Sequence, residues 1–367
     1  MGGEILPFVA MVLVQFGYAG MNIFSTLAMD SGMNPLVHVV YRQIFATVAI
    51  APFAYFLERK TRPKMTMPIL FLIFLSSIFG ATMNQALYFV GLHNSTPTVA
   101  CALTNLLPAV TFIIAVPFGF ETVGIRSVAT HAKILGTVVC VGGAMLLSFY
   151  HGHEVMGGSS LHWKYADKMG SDNPITTHSN FILGPFLVIS STVAWAVWFV
   201  IQARISEKYS APYTTTALMC LMASFQCAII GVCVEPKASA WSLSPAIRAT
   251  SSIYAGTVCN ALSFAVMSWC IQRKGPLYVS VFSPLLLVIV AVLSWAVLQE
   301  RLFVGTVVGS MLIIAGLYAV LWGKKREMSP SFDNVKDAEG GQEKQEKTGD
   351  LEMQFSGIPN GNFLTKS

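Results

Sequence analysis

The sequence predicts an all-α, polytopic membrane protein with ten transmembrane helices in two inverted halves of five. Three observations predict this fold class. Hydrophobic residues make up 54% of the 367 residues and charged residues only 11%, about half the charged fraction of a soluble domain. Apolar stretches of roughly 20 residues, long enough to cross a bilayer core about 30 Å thick, recur along the chain. Several residues of the first half also return in the second half at a nearly constant offset.

The apolar stretches must be helices, because lipid offers backbone N–H and C=O groups no partner outside the segment. We predict spans near residues 6–29, 36–57, 68–90, 97–118, 130–149, 181–203, 213–234, 251–271, 276–298 and 302–322. The first is a span rather than a cleavable signal, because no basic region precedes it and its apolar run exceeds a signal core. Prolines stand at or just before four predicted helix starts, where the missing N–H costs no hydrogen bond: Pro35, Pro97, Pro212 and Pro276.

Loop charges predict the orientation, because cytosolic loops carry the excess of Lys and Arg. One set of alternate loops holds thirteen basic residues: Arg59, Lys60, Arg62, Lys64, Arg126, Lys133, Arg204, Lys208, Arg273, Lys274, Lys324, Lys325 and Arg326. The opposite set holds five: Lys164, Lys168, Lys237, Arg248 and Arg301. Both termini are therefore predicted to lie in the cytosol. The net charge of +5 indicates membrane topology rather than a nucleic-acid partner, because the basic residues flank apolar segments.

An internal repeat predicts the inverted arrangement. Corresponding residues, at offsets of 173 to 177, are Gly136 and Gly309, Gly143 and Gly316, Gly80 and Gly256, Asn84 and Asn260, and Pro35 and Pro212. Because each half has an odd number of spans, the two halves lie in opposite orientations. Secondary transporters use this plan to build a central site that can face either side of the membrane.

Further runs of residues make the chain similar to a known family. They are Gln15-Phe-Gly-Tyr-Ala-Gly20, Tyr41-Arg42, Ala51-Pro-Phe-Ala54 with Glu58-Arg-Lys60 and Arg62-Pro-Lys64, Leu103-Thr-Asn-Leu-Leu-Pro-Ala-Val-Thr-Phe112, and Leu321-Trp-Gly-Lys324. In combination they resemble the plant UmamiT (WAT1-related) family, the nodulin-like, EamA-type members of the drug/metabolite transporter superfamily. The resemblance covers about residues 5–325.

The resemblance implies two inverted, five-helix EamA-like repeats, at residues 1–149 and 181–323. An extracytosolic loop at 150–180 joins them, and a disordered cytosolic tail follows at 324–367, where apolar residues are few. It implies a multi-pass protein of the plasma membrane or the vacuolar membrane. The expected activity is secondary transport of amino acids or related small organic solutes, by an alternating-access exporter or bidirectional facilitator. Auxin or another metabolite is the alternative substrate, because one fold hosts many solutes.

Arg42 is the sharpest candidate for substrate binding. It is the only basic residue clearly inside a predicted span, and the corresponding residue of the second half is Met219. An ionisable residue within the membrane is costly unless it is paired or hydrated, so it is a functional candidate by default. Its planar guanidinium could bind a carboxylate through two hydrogen bonds. The alternative is that Arg42 extends to the outer interface near His38 and Tyr41.

Polar and aromatic faces of other helices are further candidates to line a substrate cavity. They comprise Gln15, Tyr18 and Asn22 on helix 1, Asn84 and Tyr88 on helix 3, Thr104 and Asn105 on helix 4, Trp195 and Trp198 on helix 6, Asn260 on helix 8 and Ser283 on helix 9. Such faces turn inward because polar groups exposed to lipid are costly. Aromatic rings there could hold a substrate ammonium group. The alternative is ordinary packing with hydrogen bonds between helices.

We predict no cofactor and no metal site. The seven cysteines form no CxxC pair, and no cluster of catalytic residues supports the alternative of a membrane enzyme or receptor. No Asp or Glu lies deep in a predicted span, which favours facilitated movement over proton coupling, although a histidine or an interfacial glutamate could substitute for such a carboxylate. The expected partners are the lipid bilayer and a small molecule, an amino acid or small organic anion. The oligomeric state is open, because Gly305, Gly309 and Gly316 suit packing within one chain or between copies.

Overall fold

The helices of a computed structural model follow the predicted spans. It describes residues 2–94, 100, 103–121, 127–150, 153–156, 182–298 and 302–328. Within these residues, nine helices are long and apolar enough to cross a membrane. The fourth predicted span passes through residues 95–99 and 101–102, which lie outside the described residues, as do most of the 150–180 loop and the tail after residue 328.

We number the helices by their predicted spans. The uninterrupted ones are α1 (Gly2–Asp30), α2 (Pro35–Glu58), α5 (Val128–Phe149), α6 (Leu183–Lys208), α7 (Pro212–Val234) and α10 (Val304–Met328). The described part of α4 is Leu107–Ala115. α10 continues beyond its predicted end at residue 322, into the segment that we predict as tail. A short antiparallel pair of strands, β1 (Glu154–Met156) and β2 (Leu302–Phe303), is the only departure from all-helical structure within the described residues.

Three helices are interrupted. α3 consists of Met67–Ser76, a π-helical segment Ser77–Met83, and Asn84–His93. α8 has the same plan, with Ala246–Tyr254, a π-helical segment Ala255–Leu262, and Ser263–Lys274. α9 consists of Pro276–Ser280 and Leu285–Leu298, separated by a turn at residues 281–284. The π-helical segments occupy corresponding places in the two halves, since they contain the matched glycines Gly80 and Gly256.

α2 and α7, which correspond to each other in the two halves, pack antiparallel along their whole length. At one end, the Glu58 carboxylate accepts hydrogen bonds from the backbone N–H groups of Tyr213 and Thr214, at 2.9 and 2.6 Å. At the other end, the Asn34 side-chain amide donates to the Glu235 carboxylate at 3.3 Å. We call these the Glu58 end and the Asn34 end. Glu58 and Glu235 correspond to each other at an offset of 177.

The same pair of helices carries the pseudo-two-fold axis that relates the two halves. Near mid-helix the Thr47 and Ser224 hydroxyls lie 3.3 Å apart, and these residues also correspond at an offset of 177. Each hydroxyl donates to the carbonyl four residues earlier at 2.8 Å, that of Gln43 and that of Cys220. A contact between two matched residues can occur only on the axis. The inverted relation predicted from the sequence is therefore confirmed by the packing.

Glycines join α5 to α10 within the chain. A Cβ on Gly143 would lie 2.9 Å from the Gly309 carbonyl oxygen, and a Cβ on Gly136 would lie 2.8 Å from the Gly316 carbonyl oxygen. The two contacts are exchanged by the two-fold relation, since Gly136 matches Gly309 and Gly143 matches Gly316. Small residues let the two backbones approach closely. Gly309 and Gly316 thus serve packing within one chain, which is one of the two roles that their spacing allows.

Candidate functional site

Arg42 donates a hydrogen bond inside the helical bundle, and its partner is another predicted site residue. It is the eighth residue of the 24-residue α2, and only 6% of its surface is exposed. Its Nη2 donates to Oδ1 of Asn260 in the π-helical segment of α8, at 3.0 Å. The partner of this buried cation is therefore an uncharged amide and not a carboxylate.

Two N–H donors at this contact are left without a partner. Arg42 Nε and Asn260 Nδ2 are both buried and make no hydrogen bond within the described residues. Buried polar groups are nearly always hydrogen-bonded, so an orphaned donor needs an explanation such as a ligand or a water. Two donors on neighbouring side chains favour a ligand that accepts more than one hydrogen bond. A carboxylate meets that requirement.

Gly256 brings the two helices close enough for this contact. A Cβ at Gly256 would lie 2.7 Å from the Arg42 carbonyl oxygen and 3.1 Å from the Ala46 nitrogen, so a larger residue would push α8 away from α2. The π-helical register around Gly256 places Asn260 at the α2 surface. π-helical turns of this kind are frequent at functional sites.

Tyr18 completes a polar group with α1. Its hydroxyl donates to the carbonyl of Cys259, the residue before Asn260, at 3.3 Å, and its ring is close enough to Arg42 for an electrostatic interaction. The structure thus brings together Tyr18, Arg42 and Asn260, three residues that the sequence predicts separately. We call these three residues the polar cluster.

The corresponding place in the other half is apolar. Met219, which matches Arg42, accepts hydrogen bonds at its sulfur from Trp198 Nε1 at 3.2 Å and from the Ser76 hydroxyl at 3.3 Å. Trp198 is fully buried and lies over Gly80, where a Cβ would overlap the indole ring. Asn84, which matches Asn260, bonds instead to α6: its Nδ2 donates to Ser191 at 3.0 and 3.1 Å. The two halves therefore share a backbone plan but differ in chemistry.

Four aromatic rings pack together, and one of them, Phe264, lies one helical turn after Asn260 of the polar cluster. Trp195 and Trp198 stack with their centroids 4.8 Å apart. Phe264 contacts both rings, at 5.8 and 5.3 Å, and Phe199 contacts both at 5.7 and 5.2 Å. Phe264 follows Asn260 by four residues on α8, a rise of about 6 Å. We call these rings the aromatic cluster.

The remaining predicted site residues differ in how deeply their side chains are buried. Gln15 and Asn105 are buried, and Tyr88 and Ser283 are half-buried. Asn22 and Thr104 have exposed side chains, and the Thr104 hydroxyl donates to its own helix at the Ala100 carbonyl. The polar cluster does not include Asn22 or Thr104. Asn105 lies immediately before the described part of α4, where the helix starts again with Pro108 in its first turn.

Sequence reasoning missed several partners of these residues. Ser191 holds Asn84, Phe264 contacts both tryptophan rings, and Ser76 and Ser268 hold Gln202 at 3.3 and 2.5 Å. One signal could have found part of this set. Ser191, Trp195, Trp198 and Gln202 follow a spacing of four, three and four residues, which defines one inward face of α6.

Charged groups elsewhere in the bundle are matched within the protein. Glu121 accepts a hydrogen bond from Lys133 at 2.9 Å, and both side chains are fully buried. Lys133 therefore lies in the packed interior of α5, although we predict it as a flanking charge. The described residues contain no group of three or more His, Cys, Asp or Glu that could hold a metal ion.

Comparison with known proteins gives a consistent result. The profile of the EamA-like transporter family matches residues 5–149 and again residues 182–322. Three WAT1-related proteins of Arabidopsis thaliana are 41%, 38% and 39% identical to the chain. The alignments cover 88%, 90% and 88% of this chain and 81%, 88% and 85% of the relatives. A solved crystal structure of a protein has the same fold, with a TM-score of 0.61 at 16% identity over 85% of this chain and 98% of that one.

Proposed function

Because the chain belongs to the EamA-like transporter family, we propose that it carries amino acids or related small organic solutes across the membrane by alternating access. Its helices make it a multi-pass membrane protein. The substrate class and the working mechanism are the parts that we propose here.

The unsatisfied donors of the polar cluster carry the proposal. A substrate carboxylate between Arg42 Nε and Asn260 Nδ2 would supply the acceptors that these buried groups lack. It would also neutralise a guanidinium whose hydrogen-bond partner, Asn260, is an uncharged amide. Charge-assisted hydrogen bonds of this kind are about twice as strong as neutral ones. The Tyr18 hydroxyl, which donates to the Cys259 carbonyl, lies beside this position and could accept a further bond.

The aromatic cluster suits the rest of such a substrate. Indole faces attract cations, and desolvated cation–π contacts are worth about 2 kcal/mol, so Trp195 could hold an amino acid ammonium group. The same rings could instead stack on an aromatic side group. For this reason a carboxylate with an aromatic ring, such as indole-3-acetate, is the second candidate substrate.

Interrupted helices support the proposal of a moving, central site. Secondary transporters bind substrates where broken helices in corresponding places of two repeats leave backbone groups free. The polar cluster uses the π-helical segment of α8, and the turn at residues 281–284 interrupts α9. The basic loops support a cytosolic position for the Glu58 end and an extracytosolic position for the Asn34 end, in the plasma membrane or the vacuolar membrane.

The test is flux in proteoliposomes that contain only this protein. Labelled glutamine, glutamate, leucine, tryptophan and indole-3-acetate are offered at both faces. We expect saturable movement of at least one solute that carries a carboxylate. Folded, correctly inserted protein that moves none of the five would contradict the proposal.

Arg42→Ala tests the role assigned to the polar cluster. We expect at least a tenfold loss of flux for carboxylate substrates, since a charge-assisted pair is worth about 1.5–3 kcal/mol. Arg59→Ala is the matched control, because Arg59 is an exposed arginine that lies over Tyr55 at the Glu58 end. Normal flux through well-inserted Arg42→Ala protein would rule out the carboxylate contact while leaving the carrier proposal intact.

A further inference from the structure

His38 is a buried histidine that the proposed substrate contacts do not use. It lies on α2 one helical turn before Arg42, toward the Asn34 end, and only 1% of its surface is exposed. Its Nε2 lies 3.1 Å from the Ser25 hydroxyl of α1, and its Nδ1 lies 3.1 Å from the Ser252 hydroxyl of α8. The imidazole therefore joins three helices, and each of its nitrogens has a hydroxyl partner.

The two hydroxyls suit both protonation states of the ring. A neutral imidazole donates one hydrogen bond and accepts one, whereas a protonated imidazole donates two. A serine hydroxyl can donate or accept by rotating. Addition of a proton to His38 thus costs no hydrogen bond at either nitrogen. A purely structural histidine needs no such pair, since one fixed donor and one fixed acceptor would hold it.

Burial inside the bundle and, after it, nearby positive charge both oppose uptake of a proton by the ring. The titratable or charged side chains on the helices that contact this part of α2 include Tyr18 on α1, Tyr41 and Arg42 on α2 itself, Arg248, Tyr254 and Cys259 on α8, and Cys227 and Glu235 on α7. Arg42 is a cation one turn away and opposes protonation. Arg248 is held at Ser31, with Nε 2.9 Å from the Ser31 hydroxyl. A substrate carboxylate on Arg42 would offset the nearer positive charge.

We propose that His38 binds a proton together with the substrate, so that the carrier couples solute movement to a proton gradient. The inference rests on the proposed carboxylate contact at Arg42. When that contact forms, the ring takes a proton from the aqueous phase at the Asn34 end on the nitrogen that had accepted a hydrogen bond. When substrate leaves, Arg42 regains its uncompensated charge and the proton is released. Linkage requires the converse as well, so acid pH strengthens substrate binding.

The coupling is tested by accumulation in the same proteoliposomes. The solute is the neutral amino acid of the panel that the wild type moves fastest, and potassium with valinomycin holds the membrane potential at zero. One proton per solute sustains about a tenfold accumulation for each unit of pH difference, since 1.4 kcal/mol is a factor of ten. We expect the wild type to accumulate solute into the more alkaline lumen.

His38→Gln separates proton binding from hydrogen bonding. The amide can still donate to one serine and accept from the other, but it cannot take up a proton. We expect this variant to lose accumulation and to bring the solute only to equal concentrations, with measurable exchange. His131→Gln is the matched control, because His131 is exposed on α5, where its ring lies 2.9 Å from the Ser127 carbonyl of its own helix. It should accumulate solute as the wild type does.

Four outcomes would overturn the inference. The first is accumulation by His38→Gln that equals accumulation by the wild type. The second is wild-type flux without accumulation, which would leave the carrier proposal intact. Absence of flux for all five solutes contradicts the carrier proposal and the inference together. If His38→Gln does not insert, Ser252→Ala replaces it, because it keeps the imidazole and removes one partner of its charged form. The pH of half-maximal uptake should then fall, and an unchanged pH would overturn the inference.

Discussion

Buried charged side chains differ in how fully the protein satisfies them. Glu58 receives two backbone hydrogen bonds, and Glu121 and Lys133 form an ion pair. Arg42 has a donor without a partner in the described residues. An unpaired buried charge is expensive, whereas a fully bonded one stabilises its surroundings. The difference separates residues that hold the bundle together from the one that is suited to bind a solute.

Glu58→Gln should lower the stability of the α2–α7 pair. The glutamine can accept only one of the two N–H groups, and its amide nitrogen would face the other. The variant also removes a negative charge from a helix N-terminus. We expect a loss of about 1–2 kcal/mol and a lower Tm in detergent, measured by intrinsic fluorescence.

Glu207→Gln is the control for this change. Glu207 pairs with Arg204 at 2.9 Å in an exposed position, with 44% and 49% of the two side chains accessible. Exposed pairs of this type contribute about 0.2–1 kcal/mol. Equal Tm changes in the two variants would mean that Glu58 does not anchor the start of α7.

At the residue scale the sequence predicts the components of the site but not their partners. Arg42 is identifiable because it is a lone cation in an apolar run, and Asn260 because it matches Asn84. Their contact depends on how α2 packs against α8, which no local pattern encodes. Glu58 is read as part of a flanking charge cluster, because hydropathy treats helix ends as hydrated. Its partners lie 155 and 156 residues away in the chain.

Individual helices owe their interruptions to different causes. A turn that ends at Pro284 interrupts α9, and this proline indicates the break in the sequence. The π-helical segments of α3 and α8 contain no proline. A change of hydrogen-bond register leaves the hydrophobic pattern intact over one turn, so the sequence predicts continuous helices there. The matched glycines Gly80 and Gly256 are the one sequence feature that marks both π-helical segments.

The α5–α10 contact gives a matched pair of adjacent glycines. A Cβ on Gly143 would lie 2.8 Å from Leu312 Cβ and 2.9 Å from the Gly309 carbonyl oxygen, so Gly143→Ala must push backbone away. A Cβ on Gly142 would meet nothing within 4 Å. We expect Gly143→Ala to cost about 1–3 kcal/mol, and Gly142→Ala to gain up to about 1 kcal/mol from helix propensity.

Thermal unfolding of the two alanine variants in the same detergent measures this difference. A lower Tm for Gly143→Ala with an unchanged or higher Tm for Gly142→Ala is the expected pattern. If both variants unfold at the wild-type temperature, α5 and α10 do not meet at these glycines.

The Thr47–Ser224 contact lies on the pseudo-two-fold axis that relates the two halves of the molecule. A contact that lies on the axis relating the two halves is its own counterpart when the halves exchange conformations, so it can persist in states open to either side. The contacts at the Glu58 end are not their own counterpart, because Glu58 corresponds to Glu235 at the Asn34 end. They are therefore not expected to persist in both states. We expect Thr47→Cys with Ser224→Cys to form a disulfide on mild oxidation, because the two hydroxyls are 3.3 Å apart.

The cross-linked protein should retain solute flux. Each single cysteine variant, oxidised in the same way, controls for effects of oxidation on the native cysteines. Flux that disappears on oxidation of the double variant and returns with reductant would show that α2 and α7 must separate at mid-helix during transport.

At the scale of the whole molecule, the sequence predicts the fold correctly. Hydropathy places the spans, and the near-constant offset between matched residues predicts the inverted repeat, which the packing of α2 on α7 confirms. The resemblance to plant EamA-type transporters is likewise confirmed by the family profile and the WAT1-related relatives. Periodicity and repeats persist in sequence because they are set by the bilayer and by the fold. Side-chain partners depend on one particular packing of the helices, and so no pattern in the sequence reveals them.

The replacement of Arg42 by Met219 in the second half has a kinetic consequence. Two identical halves would present equal binding sites to the two faces of the membrane, with equal half-saturation constants. If Arg42 binds the substrate as proposed, the site exposed to each face should differ in affinity, because only one half supplies the cation. In the absence of any gradient, detailed balance still requires the same ratio of Vmax to KM in both directions. Tighter binding from one face is therefore matched by slower turnover from that face, so Arg42 determines which face saturates first and leaves the direction of net flow to the gradients.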